Sequence, residues 1–142
     1  MTQKQFTLNP LVDVAIRKAA EYARYLGSSS VDTEHLLLGF LQFGDNLFRQ
    51  APNATIRAEL LARIQRSTPI EPSQELSFSD STARTLGILH VGNPEAALRV
   101  LEPEHVLLAV LDEHGVAADV LHSFGIHSRE DLNVRFRVKG RE

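Results

Sequence analysis

The 142-residue chain contains no cysteine. That absence removes disulfides, thiolate metal sites and a cysteine nucleophile together, and it fits a reducing compartment, with the cytoplasm as the expected location. Lysine is scarce as well, limited to Lys4, Lys18 and Lys139. No Gly-x-x-x-x-Gly-Lys-Ser/Thr stretch exists, so the chain has no loop with which to cradle nucleotide phosphates. No run approaches the ~18 apolar residues of a membrane span. The opening Met1 to Leu8 holds polar Thr2, Gln3, Lys4 and Gln5 and no apolar core of an export signal. Charge of one sign is lacking too: 15 basic against 18 acidic residues leave a net -3, which gives no field for collecting nucleic acid or an anionic membrane. What remains is ordinary: 43% hydrophobic and 23% charged residues describe one globular domain, 1–142, large enough to bury a core.

The chain does contain a repeat of itself. Thr33-Glu34-His35-Leu36-Leu37-Leu38-Gly39-Phe40-Leu41 aligns with Pro103-Glu104-His105-Val106-Leu107-Leu108-Ala109-Val110-Leu111 at an offset of 70. Upstream, Phe6-Thr7 matches Phe78-Ser79 at an offset of 72. Two related halves follow, about 6–66 and 78–138. The segment of about 67–77, with Pro69, Pro72 and several serines, has the composition of an exposed linker.

Within the first half, Leu11, Ala15, Ala19, Tyr22, Ala23 and Leu26 recur at spacings of three and four and predict one apolar helix face. Asn9 and Pro10 suit its start, and Gly27 its end. The next helix is capped by Asp32 or Thr33, and its body, Leu36 to Leu41, is apolar on nearly every side, which predicts a central position. Ala54 to Arg66 reads as an amphipathic helix with Ile56, Leu60, Leu61 and Ile64 inward, and Asn46 to Ala51 as an added turn. The second half predicts helices over Asp80 to His90, Glu104 to Glu113, Val116 to Phe124 stopped by Gly125, and Ser128 to about Val138. Ser128 with Asp131 and Glu130 forms an approximate capping box for the last of these.

The duplicated Glu-His core, the Phe-Thr and Phe-Ser ahead of each half, and His114-Gly115-Val116-Ala117-Ala118-Asp119-Val120-Leu121 leading to Phe124-Gly125-Ile126 resemble the Clp repeat. The resemblance covers roughly residues 6 to 138 and rests on order and duplication. It implies a Clp N-terminal domain: an all-α, pseudo-twofold module of two tandem four-helix repeats, about eight helices in total. This chain resembles a stand-alone member without the ATPase domains that such modules are tethered to. Protein binding is the implied activity, with a Clp unfoldase, a peptidase or substrate proteins as partners. Catalysis, cofactors, nucleic acid and membranes are not expected. A substrate adaptor is the first expectation, and regulation by docking on the Clp machine is the alternative.

Some Clp unfoldase N-domains recognise phosphorylated arginine, with a glutamate near each long helix start taking the guanidinium and a nearby hydroxyl contacting the phosphate. The matching positions here are Glu34, Glu104, Thr7 and Ser79. A carboxylate suits the planar guanidinium fork, and hydroxyls and free amides at a helix start suit phosphate. A second reading needs no ligand: Glu34 and Glu104 sit where a negative charge gains ~0.3 to 1 kcal/mol from the helix dipole, and Thr7 and Ser79 are caps. Two features distinguish the second repeat. Gly92-Asn93-Pro94 interrupts its first helix, and Pro103 stands where the first repeat has Thr33, removing a hydroxyl and an amide.

His35 and His105 lack the spacing of metal ligands and are read as imidazoles pinning a loop to each helix start. Gly27-Ser28-Ser29-Ser30 lacks a nucleophile-elbow pattern and reads as loop and cap. Arg129, Arg135, Arg137, Lys139 and Arg141 raise a nucleic-acid reading, which the acidic total and the absence of a recognition helix oppose.

Overall fold

The computed structural model describes residues 7–8, 10–71, 76–86 and 100–136. The architecture is mostly helical. In chain order, β1 (Thr7–Leu8), α1 (Pro10–Leu26), β2 (Ser30–Val31), α2 (Thr33–Phe40) and α3 (Asn53–Arg63) are followed by β3 (Ser77–Phe78), α4 (Asp80–Thr85), β4 (Val100–Leu101), α5 (Pro103–Asp112) and α6 (Val116–Ser123). Two short 3-10 turns, Arg129–Asp131 and Val134–Phe136, complete the described chain.

Helix α2 is the centre, as its all-round apolar sequence predicts. All its residues but Glu34 are buried, and it touches α1, α3, α4, α5 and α6. A helix in that position cannot present a polar face anywhere except its ends, so its N-terminus is where chemistry can reach solvent. Its closest neighbour is α1: a methyl group built on Gly39 would lie 2.2 Å from the Ala15 carbonyl oxygen, so the two backbones touch where only glycine leaves room.

Helix α1 buries Val12, Ala15, Ala19, Ala23 and Leu26. The predicted stripe is right from Ala15 onward and one position out at its start: Val12 enters the core, while Leu11 is 37% exposed. At 100° per residue, a shift of one position is enough to move a side chain from the core face to its edge. The helix stops at Gly27, whose φ of 80° is the left-handed region that glycine enters without strain.

The linker is less detached than its composition suggests. Ser67 N–H donates to the Leu26 carbonyl and Ile70 N–H to that of Arg24, and the chain passes so close that a side chain on Gly27 would collide with Ser67 and Thr68. Residues 72–75 and the expected break at Gly92-Asn93-Pro94 lie outside the described residues, as do 87–90 at the end of the expected helix from Asp80.

Both strand pairs are parallel, and each joins the two halves. Thr7 lies opposite Val100 and Leu8 opposite Leu101, while Ser30 lies opposite Ser77 and Val31 opposite Phe78. This register relates Thr7 to Ser77. Ser79 instead directly precedes α4 as its N-cap, so Thr7 and Ser79 occupy different places in their halves.

The expected helix from Ser128 does not form. Leu132 leaves the helical region with ψ of 138° after a single 3-10 turn. Tertiary pairing outweighs the local capping signal there: Leu132 forms an antiparallel bridge with Phe48, Arg49 N–H donates to the Asp131 carbonyl, and Asn133 N–H donates to that of Leu47. The Asn46–Ala51 segment accordingly serves as the partner of this chain end. Phe136 then packs against Phe43, which meets Phe40 edge-on.

Candidate functional site

The repeated Glu-His dipeptide builds the same local device twice. Asp32 N–H donates to His35 Nδ1 at 2.9 Å, and Glu102 N–H donates to His105 Nδ1 at 3.2 Å. In each case an imidazole in the first turn reaches back to the residue preceding the helix and fixes the angle at which the chain enters it, a histidine version of the capping box. The α2 start has a second clasp, in which the Asp32 carboxylate accepts from Thr33 N–H at 2.8 Å. The matching amide is missing at α5, where Pro103 takes the first helical position.

The two glutamates that follow have different surroundings. Glu34 is half-buried at the exposed end of α2, and no other side chain bonds to its carboxylate among the described residues. Burial pushes its carboxyl above the ordinary range and the neighbouring Asp32 charge adds to the shift, against a partial offset from its own backbone amide. Glu104 is 0% exposed and accepts a hydrogen bond from Arg129 Nε at 3.0 Å, with the Arg129 side chain 22% exposed above it.

Ser79 belongs to the Glu34 end. Its hydroxyl accepts from Thr82 N–H at 3.2 Å as the cap of α4 and donates to Asp32 Oδ1 at 2.9 Å. Its own N–H extends the β2–β3 pairing by donating to the Val31 carbonyl. Thr7 belongs to the Glu104 end, because β1 pairs with the strand that leads into α5. The four residues therefore fall into two groups, Glu34 with Ser79 and Glu104 with Thr7, each drawn from both halves of the chain.

Two participants escape a reading of the sequence. Asp32 is legible as a cap but not as the link between Glu34 and Ser79, since its partner is 47 residues away. Arg129 reads as one of a basic cluster, and its pairing with Glu104, 25 residues away, is not legible in the sequence. No helix of the described residues is long and apolar enough to cross a membrane.

No protein-family model matches the chain. It is 30% identical over 123 aligned positions to the negative regulator of genetic competence ClpC/MecB of Bacillus subtilis (strain 168). That alignment takes in 76% of this chain and spans 14% of the length of that relative. Its fold is similar to the crystal structure of the N-terminal domain of the caseinolytic protease associated chaperone ClpD from Arabidopsis thaliana, with a TM-score of 0.54 and 22% identity over 89% of this chain and 88% of the other. The mostly helical fold and the duplicated Glu-His helix starts agree with these two likenesses: the chain is similar in sequence to a part of the ClpC/MecB regulator and in fold to the N-terminal domain of a Clp chaperone.

Proposed function

We propose that the chain is a protein-binding module of the Clp machinery that takes up arginine-bearing segments of substrate proteins, phosphoarginine in particular, at the start of α2. The observation that carries this reading is the setting of Glu34: a half-buried carboxyl beside Asp32, pushed above the ordinary range by burial and by that neighbouring charge, with no cation bonded to it among the described residues. A guanidinium relieves both penalties at once, because it supplies positive charge and a planar pair of donors to an acidic neighbourhood that water serves poorly.

The duplicated helix starts and the exchanged strand pairs support two tandem repeats related by a pseudo-twofold axis, with Glu34 and Glu104 in equivalent places. Ser79 enters the site as the residue that holds Asp32, its hydroxyl lying 2.9 Å from that carboxylate. Thr7 lies at the Glu104 end through its strand, which pairs with the one that leads into α5, and it is not the counterpart of Ser79.

Calorimetric titration tests the reading, with free phosphoarginine as ligand and arginine and phosphoserine as controls. The expected result is saturable binding of phosphoarginine that Glu34→Ala abolishes. Absence of binding at millimolar ligand would overturn it.

Docking on a Clp unfoldase or peptidase is the second reading. It is favoured by Leu11 and Val14, one helical turn apart on α1 and 37% and 44% exposed, with Leu11 at the rim of a recess shared with Phe43 and Phe136. Loss of co-elution with an unfoldase in Val14→Glu, with phosphoarginine binding absent throughout, would support docking instead.

A further inference from the structure

We propose that Arg129 closes the Glu104 site, so that the chain offers one guanidinium-binding carboxylate, Glu34, where its repeat would otherwise offer two. The inference rests on the reading of Glu34 given above and adds the valence of the module and the residue that sets it.

Arg129 supplies the kind of group that the site would take from outside. Its Nε donates to Glu104 Oε2 at 3.0 Å, and the carboxylate beneath is 0% exposed. Removed from water, this carboxylate already has a guanidinium as counter-charge, and an incoming arginine would have to displace it before gaining anything.

The arginine is held in place by the turn that carries it. The Asp131 carboxylate accepts from His127 N–H at 2.8 Å and Ser128 N–H at 3.2 Å, and Gln50 Nε2 donates to the same carboxylate. Arg49 bonds the turn twice, by its backbone N–H to the Asp131 carbonyl at 3.0 Å and by its guanidinium to the Glu130 carbonyl at 3.2 Å. With Leu132 bridged to Phe48, the 47–50 loop anchors Arg129 against α5. A tethered partner acts at an effective concentration on the order of millimolar or above, so a free ligand of similar intrinsic affinity does not displace it at micromolar levels. Pro103 acts in the same direction, since it removes an amide from the α5 start. No equivalent arginine bonds to Glu34 among the described residues. One duplicated position has thus become an internal ion pair, and the other is left for a partner.

The test is the stoichiometry of phosphoarginine binding to the full chain, read by calorimetry up to about millimolar ligand, in the wild type, Glu34→Gln and Arg129→Gln. The expected results are one equivalent in the wild type and none in Glu34→Gln. Two equivalents in the wild type, or one retained in Glu34→Gln, would overturn the closure while leaving a phosphoarginine module in place. No binding to the wild type would overturn the reading of Glu34 and the closure with it. Arg129→Gln exposes Glu104, and a folded variant gains a second equivalent; a folded variant that still takes one shows that Arg129 is not what closes the site. If this variant fails to fold, wild type and Glu34→Gln decide the matter alone.

Discussion

Ser79 Oγ lies 2.9 Å from Asp32 Oδ1, so the side chain that caps α4 also holds the side chain that caps α2. One hydroxyl thereby ties together helix starts from the two halves of the chain, and the charged acceptor makes the bond stronger than one between neutral groups.

Replacing Ser79 by alanine removes both functions. The cap alone is worth about 1 kcal/mol, and the bond to a carboxylate adds about as much again. Urea denaturation of Ser79→Ala, Asp32→Ala and the double variant is expected to show a coupling of about 1 kcal/mol between the two residues. Additive effects would mean that each cap works independently.

Glu34 gives an opposite sign. Its carboxyl is raised by burial and by Asp32, so ionisation costs more in the fold than in the unfolded chain. The fold is unpenalised below the ordinary glutamate pKa and loses stability as pH rises through the raised one. Glu34→Gln is therefore expected to be more stable than the wild type at pH 7, with the advantage vanishing as pH falls below about 4.5, while ligand binding is lost. Were Glu34 retained for the helix dipole, glutamine would cost ~0.3 to 1 kcal/mol instead. Denaturation midpoints at pH 7 and pH 4 separate the two.

The helices were legible because their causes are local. Pro10, Asp32, Gly27 and Gly125 stand at helix boundaries where their backbone preferences put them, and the apolar run of α2 marks the centre without help from anything distant. The Glu-His repeat was legible as a string, and its histidines do the loop-pinning expected of them. The site was legible only by halves. The Asp32–Ser79 and Glu104–Arg129 bonds span 47 and 25 residues, and no spacing rule connects such positions. The same limit explains the chain end, where the local capping signal at Ser128 yields to a bridge with Phe48. Leu11 shows a finer failure: periodicity locates a helix face to within one residue, and at the first turn that residue decides what is buried.

Gly39 tests the closeness of α1 and α2. In an exposed helix interior, alanine for glycine stabilises by about 1 kcal/mol. Here the new methyl would sit 2.2 Å from a backbone oxygen of Ala15, which no side-chain rotation relieves. Gly39→Ala is expected to destabilise by about 1 to 3 kcal/mol, the cost of overpacking. Any gain in thermal midpoint would mean that the two helices are farther apart than their structure indicates.

His35 makes the fold sensitive to mild acid. It is 1% exposed, its Nδ1 accepts from Asp32 N–H, and its Nε2 has no hydrogen-bond partner among the described residues. With Nδ1 accepting, the proton of the neutral ring resides on Nε2. A second proton would have to sit on Nδ1, facing the Asp32 N–H, in a place where burial already opposes charge. Burial is the larger cause of a pKa lowered to about 4, and the Asp32 carboxylate only partly offsets it. The unfolded chain takes up this proton near pH 6.5 and the folded one does not, so full stability holds above about pH 6.5 and is lost progressively as pH falls to about 4. The whole loss is on the order of 3 kcal/mol at the conversion of 1.36 kcal/mol per unit. His35→Asn retains an acceptor for the Asp32 amide but does not titrate. Its stability is expected to be lower than the wild type's at pH 7 through poorer packing, yet flatter between pH 6.5 and 4. Urea midpoints at half-unit pH intervals give both slopes, and parallel curves for the two chains would mean that some other group drives the acid sensitivity.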